Sequence, residues 1–195
     1  SNDVHGAIEG YAYMKALKTK LEAAGAEVIL ADAGDFSQGE TSVSLSKGAT
    51  AVEMMNATGY DVVGLGNHEF DYGYPQLLEN LNKARFRVLC ADVLKADGTP
   101  VFDANTIIEK GGVKIGFIGL ETPETQTKAN PALIKGLTFL TESTDPTIWY
   151  KAQAEVYALK ASGADIVVCL SHLGVDESSK PYRSYDLYSK VTGID

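Results

Sequence analysis

Histidine occurs three times in this chain, each time in a short turn beside other side chains able to bind a metal. His5 closes Asp3-Val4-His5-Gly6, His68 stands in Gly66-Asn67-His68-Glu69-Phe70-Asp71-Tyr72-Gly73, and His172 in Ser171-His172-Leu173-Gly174. A fourth turn, Gly34-Asp35-Phe36-Ser37-Gln38-Gly39, has no histidine but offers a carboxylate. Carboxylate and amide oxygens suit Mg, Mn or Ca, and imidazole shifts the preference toward Mn, Fe or Zn. One Asp can bridge two ions through its two oxygens, and ions about 3.5–4 Å apart can clamp a phosphoryl group while generating a hydroxide. Taken singly, the turns have ordinary structural readings. Gly34-Asp35 reads as a helix-cap turn, His172 as a satisfied strand-end histidine, and Asp3-Val4-His5 as a common tripeptide near a terminus. Gly-Asn-His-Glu after an apolar strand is harder to explain by turn geometry alone, and the ordered set of four favours metal-dependent chemistry.

Such turns act together only if a scaffold brings them to one edge. Ile8, Tyr11, Met14, Leu17 and Leu21 recur at helical spacing through residues 7–24, Gly25 supplies a C-cap, and Ala26–Ala31 reads as a strand. The same helix, glycine, strand unit recurs at Thr50–Thr58, Gly59 and Tyr60–Leu65, and again at Pro146–Ala161, Gly163 and Ala164–Leu170. In that last helix Asp145-Pro146 reads as cap and first turn, with Trp149, Ala152, Val156 and Leu159 as the buried stripe. A helix over Pro75–Ala84 leads to a strand at Phe86–Ala91, and Val101–Glu109, Gly111-Gly112 and Val113–Leu120 read as a β-hairpin. Glu121–Gly136, with Pro123 and Pro131, is a long loop that either packs or moves. A further unit begins at Lys190-Val191-Thr192-Gly193-Ile194-Asp195. Each repeated strand delivers one metal-competent residue just past its carboxyl end, where α/β folds place ligand sites. The expected class is α/β, as a sandwich or mixed sheet rather than a pure doubly wound one.

Composition agrees with a single soluble domain of 195 residues, 45% hydrophobic and 22% charged. A net charge of −9 and a pI near 4.8 argue against affinity for nucleic acid or anionic lipid through a basic surface. A phosphorylated substrate then requires a local reversal of sign, which bound divalent ions supply. The first twenty residues are an amphipathic pattern carrying Lys15, Lys18 and Lys20, so they read as neither signal peptide nor membrane span. Cys90 and Cys169 lie in apolar strand-like runs and read as free, buried thiols. Asp97, Asp103, Asp176 and Glu177 read as solvated surface.

The order Asp-x-His, Gly-Asp, Gly-Asn-His-Glu and His resembles the signature of the calcineurin-like metallophosphoesterases. Within them, the turns around Asp3, Asp35 and His68 look like the branch of 5′-nucleotidases, UDP-sugar hydrolases and 2′,3′-cyclic-nucleotide phosphodiesterases. The protein Ser/Thr phosphatases carry an arginine shortly after Gly-Asp, whereas here the turn runs Phe36-Ser37-Gln38-Gly39. That departure favours a nucleotide over a phosphoprotein. The resemblance implies a four-layer αββα β-sandwich of mixed sheets flanked by helices. It covers residues 1–195 as an N-terminal catalytic domain without its first strand, its final Gly-His-x-His-like turn, or the C-terminal domain that stacks the nucleobase.

Carried over by position, the resemblance makes Asp3 and His5 ligands of one divalent ion, Asp35 the bridge, and Asn67 and His172 ligands of a second, with Zn, Mn or Mg as the metals. Each ion then lacks one ligand. His68, oriented by Asp71, resembles the catalytic pair that stabilises the transferring phosphoryl group, and Glu69, Gly66 and Gly73 are structural members of the turn. The implied activity is hydrolysis of nucleotide phosphoesters, with a metal-bound hydroxide attacking phosphorus in line, in an exported protein whose leader has been removed. Its partners are the nucleotide and the C-terminal substrate domain. Two rival readings are a folded but catalytically incomplete piece, and a cell-surface binding domain. The latter would use Tyr182, Tyr185 and Tyr188, spaced by three on a helix, although such a stripe more often belongs to a core or a domain interface.

Overall fold

A computed structural model describes residues 1–195. In chain order the first half carries α1 (Ile8–Ala23), β1 (Ala31–Asp32), α2 (Thr41–Leu45), α3 (Ala49–Thr58), β2 (Val62–Gly64), α4 (Tyr74–Leu81) and β3 (Arg87–Leu89). The second half carries β4 (Val93–Lys95), β5 (Asn105–Lys110), β6 (Val113–Glu121), α5 (Thr125–Lys128), β7 (Leu137–Phe139), α6 (Ile148–Ala161), β8 (Ile166–His172) and α7 (Ser184–Lys190). β1, β2 and β3 form a parallel sheet, with Val62 opposite both Ala31 and Arg87. β6 pairs antiparallel with β5 and parallel with β8, giving a mixed sheet in the order β5-β6-β8. β4 and β7 make a small antiparallel ribbon.

Period-two alternation sorts the side chains into layers. On the first sheet Val63 and Leu65 point outward onto α1, α3 and α4, where Tyr11, Val52, Met55 and Leu77 are buried with them. On the second sheet Ile118, Leu120 and Val167 point outward onto α6 and α7, against Ala152, Val156 and Leu187. The alternate residues Val62, Leu89, Phe117 and Leu170 meet between the sheets. The result is the α/β/β/α stack, and each fully buried aliphatic or aromatic side chain in it contributes roughly 1.5–3 kcal/mol. Between the sheets the backbones nearly touch: a Cβ added at Gly119 would lie 2.2 Å from the Leu89 carbonyl oxygen. Both layers therefore present their strand ends at one rim, where β1, β2 and β8 discharge the Asp35, Asn67-His68 and His172 turns.

Several boundaries differ from the periodic reading, each for a local reason. The strand expected over 26–31 shrinks to Ala31–Asp32, because the Asp61 carboxylate takes the Leu30 amide at 2.8 Å in place of a ladder carbonyl. α6 starts at Ile148 rather than Pro146; its cap is Thr147, whose hydroxyl accepts the Tyr150 amide at 3.2 Å, and Asp145-Pro146 is a cis peptide ahead of it. The hairpin's first strand begins at Asn105, since Val101 donates instead to Val93 of β4 at 3.0 Å.

The apolar face expected of α1 holds over its first turns, where Tyr11 is buried and Ile8 and Met14 are half-buried, and fails beyond them, where Leu17 is 50% exposed. The stripe Tyr11, Lys15, Lys18 faces α3, where Lys15 and Lys18 donate to the open carbonyls of Ala57 and Gly59. Lysine stems thus cover the interface while their charges meet the negative end of α3. The Glu121–Gly136 segment packs, burying Thr125, Ala129 and Ile134 and forming α5. Cys90 and Cys169 are free, the second only half-buried. Of the tyrosine stripe, Tyr182 precedes α7 and lies 6.1 Å from the Trp149 ring centroid, while Tyr185 and Tyr188 are exposed. No helix is long and apolar enough to cross a membrane.

Candidate metal centre

Asp35 stands at the centre of the rim. Its carboxylate Oδ2 lies 3.2 Å from His172 Nε2 and 3.7 Å from His5 Nε2, while Oδ1 accepts the His68 amide at 2.9 Å. Asp3 Oδ1 is 3.6 Å from His5 Nε2 and 4.0 Å from His172 Nε2, so it lies between the two histidines rather than with His5 alone. Donor atoms fall into two groups that share Asp35: Asp3, Asp35 and His172 on one side, His5, Asp35 and His68 on the other, each set within 4.8 Å of one another. Asn67 joins them by lining the same cavity of about 290 Å³, together with Asn2, Asp3, Asp35 and His172. The His68 ring stands edge-on to that of His5 at 5.1 Å between centroids, and its Nδ1 meets Asp71 Oδ2 at 2.6 Å. That contact leaves Nε2 as the free nitrogen.

The turns are bent to make this convergence possible. Asp3, His5 and Asp35 have φ of 52°, 46° and 61°, a left-handed conformation that costs a non-glycine residue about 1–3 kcal/mol. Gly66 permits the close approach: a Cβ there would lie 2.3 Å from Asp35 Oδ1 and 2.8 Å from His172 Cε1.

Glu69 does more than the turn role expected of it. Buried at 2% exposure, its Oε2 accepts the amides of Asp35 at 2.8 Å and Gly66 at 2.7 Å, and its Oε1 those of Phe36 at 3.0 Å and Ser37 at 2.9 Å. One carboxylate thereby ties the Asp35 turn to the Asn67-His68 turn. The glutamate three residues after a turn glycine was the legible signal, as half of a capping box; the other amides come from a turn distant in sequence. Three further positioning groups were not foreseen. Asp32 accepts the Gly34 amide at 2.9 Å, the Ala33 carbonyl meets His172 Nδ1 at 3.0 Å, and the Asn2 amide donates to Asp3. The Ala33 contact fixes the ring so that Nε2 faces the cavity, as metal-binding imidazoles require.

The donor set fits a divalent cation: imidazole nitrogens and carboxylate oxygens converge, and Asp35 is common to both candidate groups.

Comparison with known proteins agrees. A family model described as bacterial capsule synthesis protein PGA_cap matches residues 11–188. A 5′-nucleotidase of Vibrio cholerae is 33% identical over 159 residues, covering 81% of this chain and 28% of that protein. The crystal structure of a 5′-nucleotidase precursor from Thermus thermophilus superposes with a TM-score of 0.78 at 32% identity, over 93% of this chain and 34% of that one. The chain belongs to the calcineurin-like metallophosphoesterases. Its fold also matches the calcineurin-like phosphoesterase YfkN from Bacillus subtilis, with a TM-score of 0.81 at 23% identity over 100% of this chain and 68% of that one. The chain spans about a third of the length of the 5′-nucleotidases it matches.

Charge in this metallophosphoesterase rim is arranged around Asp35. Burial works to raise its carboxyl, but the His172 contact and the His68 amide outweigh it and hold the group below the usual carboxylate range. Burial likewise works against a charged His172, yet the Asp35 partner lifts the imidazole to about 9. Burial and the nearby Asp35 charge push Glu69 up to about 7, opposed by the amides of Gly66, Asp35 and Ser37. An ion that takes His172 must displace the proton on its imidazole. Affinity at that position should therefore rise with pH toward about 9, with a proton released as that one ion binds. Isothermal titration with Mn2+ across about pH 7 to 9 checks this; binding that neither strengthens with pH nor releases a proton would show that no proton is displaced from His172.

Proposed function

We propose that this domain hydrolyses phosphoesters, with nucleotides as its substrate class, by a 5′-nucleotidase-type mechanism with two divalent ions. The observation that carries the reading is Asp35, shared by two donor groups at the mouth of a polar cavity, with the His68–Asp71 pair beside it. Relatives named as 5′-nucleotidases support the substrate class.

In this reading Asp35 is shared, as it is between the two donor groups, but the partition of the other ligands follows the family resemblance. Asp3, whose Oδ1 is nearer His5 than His172, holds one ion with His5 and Asp35; Asn67 and His172 hold the other with Asp35, and His68 is left for the substrate. The ions supply Lewis-acid polarisation of the phosphoryl oxygens and an activated water. Asp71 holds the His68 ring through Nδ1, leaving Nε2 to meet the phosphoryl oxygens and the leaving group as charge develops there. Glu69 keeps the Asp35 and His68 turns at fixed separation, so positioning is built in before substrate arrives. Export belongs to the same proposal.

The test is turnover of bis(p-nitrophenyl) phosphate and AMP in Mn2+. His68→Asn should lower kcat by about 10²–10⁴-fold, the usual span for removing a general acid or base, while Mn2+ binding persists. Turnover retained in that variant would remove His68 from the mechanism. Turnover absent from the wild type with both ions bound would favour the binding-domain reading.

A further inference from the structure

The register of β6 against β8 sets Glu121 opposite His172, and the chain passes within a few residues from Glu121 into α5. α5 is anchored from within: Thr125 is fully buried and donates its hydroxyl to the Glu121 carboxylate, and Ala129 is buried after it. The anchoring fixes where Lys128 stands. Its side chain borders a second recess beside the metal cavity, and Asn67 and His172 line both. Beyond these its wall is mostly polar, with Thr122, Glu124 and Ser179 beside Leu173 and Gly174, and it has no Phe, Tyr or Trp. Lys128 is the only lysine or arginine lining either space. Its Nζ lies 2.5 Å from Glu124 Oε2, in a pair whose lysine is 62% exposed.

These features describe a place for an anionic group rather than a base. A nucleobase needs an aromatic or apolar face to stack on, and apart from the His172 ring, which the metal reading already uses, the recess offers only Leu173. An exposed i,i+4 ion pair holds its partners weakly, so a multiply charged phosphate oxygen cluster competes well for the ammonium.

We propose that Lys128 positions a second, non-reacting phosphate of the substrate, making the site selective for diphosphate-bearing compounds over simple monoesters, with Glu124 holding the lysine when no substrate is bound. The inference rests on the phosphoesterase reading of the neighbouring metal centre and assigns the recess beside it. Glu124 opposes the incoming anion as well as holding Lys128, so the two residues act with opposite sign.

The experiment is isothermal titration of the Mn2+-loaded chain with methylenediphosphonate and with methylphosphonate at the same free Mn2+. Neither probe has a P–O–C bond to hydrolyse. The wild type should prefer the diphosphonate at least tenfold. Lys128→Met should lose at least fivefold more affinity for the diphosphonate than for methylphosphonate, and Glu124→Gln should gain diphosphonate affinity at least twofold. An unchanged preference in Lys128→Met, or equal losses for both anions, overturns the inference and leaves the phosphoesterase reading standing. A wild type that binds Mn2+ but neither anion overturns both.

Discussion

Asp35→Asn will weaken divalent-ion binding by about 100-fold or more at both positions, whereas Asp3→Asn will leave one of the two measurable. The asymmetry follows from geometry. Asp35 is the carboxylate common to the His5–His68 group and to the Asp3–His172 group. The asparagine keeps an oxygen in place for the His68 amide, so the turn retains its shape while the shared charge is lost. The substitution also removes the anion that holds His172 protonated, so the pH dependence of whatever binding persists should flatten. Calorimetric stoichiometry with Mn2+ distinguishes the cases. One tight ion retained in Asp35→Asn would mean that the two donor groups are independent and that Asp35 does not bridge.

Glu69→Ala carries the second large effect, and here it falls on the fold. Four backbone amides, those of Asp35, Phe36, Ser37 and Gly66, lose their only acceptor in a buried place. An unsatisfied buried donor costs about 1–3 kcal/mol, so the loss should reach about 4 kcal/mol or more even if water enters to satisfy some of them. Glu69→Gln should fall between, because its amide keeps one acceptor oxygen but turns an NH2 toward two donors. Urea unfolding reads both, with the midpoint falling in the order wild type, Gln, Ala. Metal affinity should fall in the same order, since the clamp joins the turn bearing Asp35 to the turn bearing Asn67 and His68. A Glu69→Ala protein within about 1 kcal/mol of wild type would show that the turns hold their shape without it.

The fold, and the residues that meet in the candidate site, were legible where they depend on local rules. Alternation and helical spacing found every helix of eight residues or more, the hairpin, and the strands that end at the rim, with glycine marking the ends of α1, α3 and α6. The boundaries slipped where a side chain from elsewhere took a backbone group: Asp61 at Leu30 and β4 at Val101. The apparent apolar face of α1 misled for a related reason. Leu17 and Leu21 have the right spacing and Tyr11 and Met14 do face the core, but toward the helix's end Lys15 and Lys18 meet the open carbonyls at the end of α3 while both leucines stay exposed. The β4–β7 ribbon was invisible because its two short strands are joined by pairing across more than forty residues.

Residue types and their order in the chain determined that Asp3, His5, Asp35, Asn67, His68 and His172 would be ligand-competent and would follow strand ends. The parallel strands β1 and β2 of one layer discharge the Asp35 and Asn67-His68 turns on the same side, while β8 of the other sheet brings His172 to that rim only through the way the two sheets stack. What the tertiary structure alone decided is how the side chains meet there: that Asp35 is common to two groups, that Asp3 lies between His5 and His172, and that Ala33 fixes the His172 ring. It also decided the part played by Glu69, and the place of Lys128 beside the cavity. Local pattern specifies a residue's element and face through its own backbone. Distances between turns separated by up to 170 residues depend on how two sheets stack, and that is set by packing across the whole molecule.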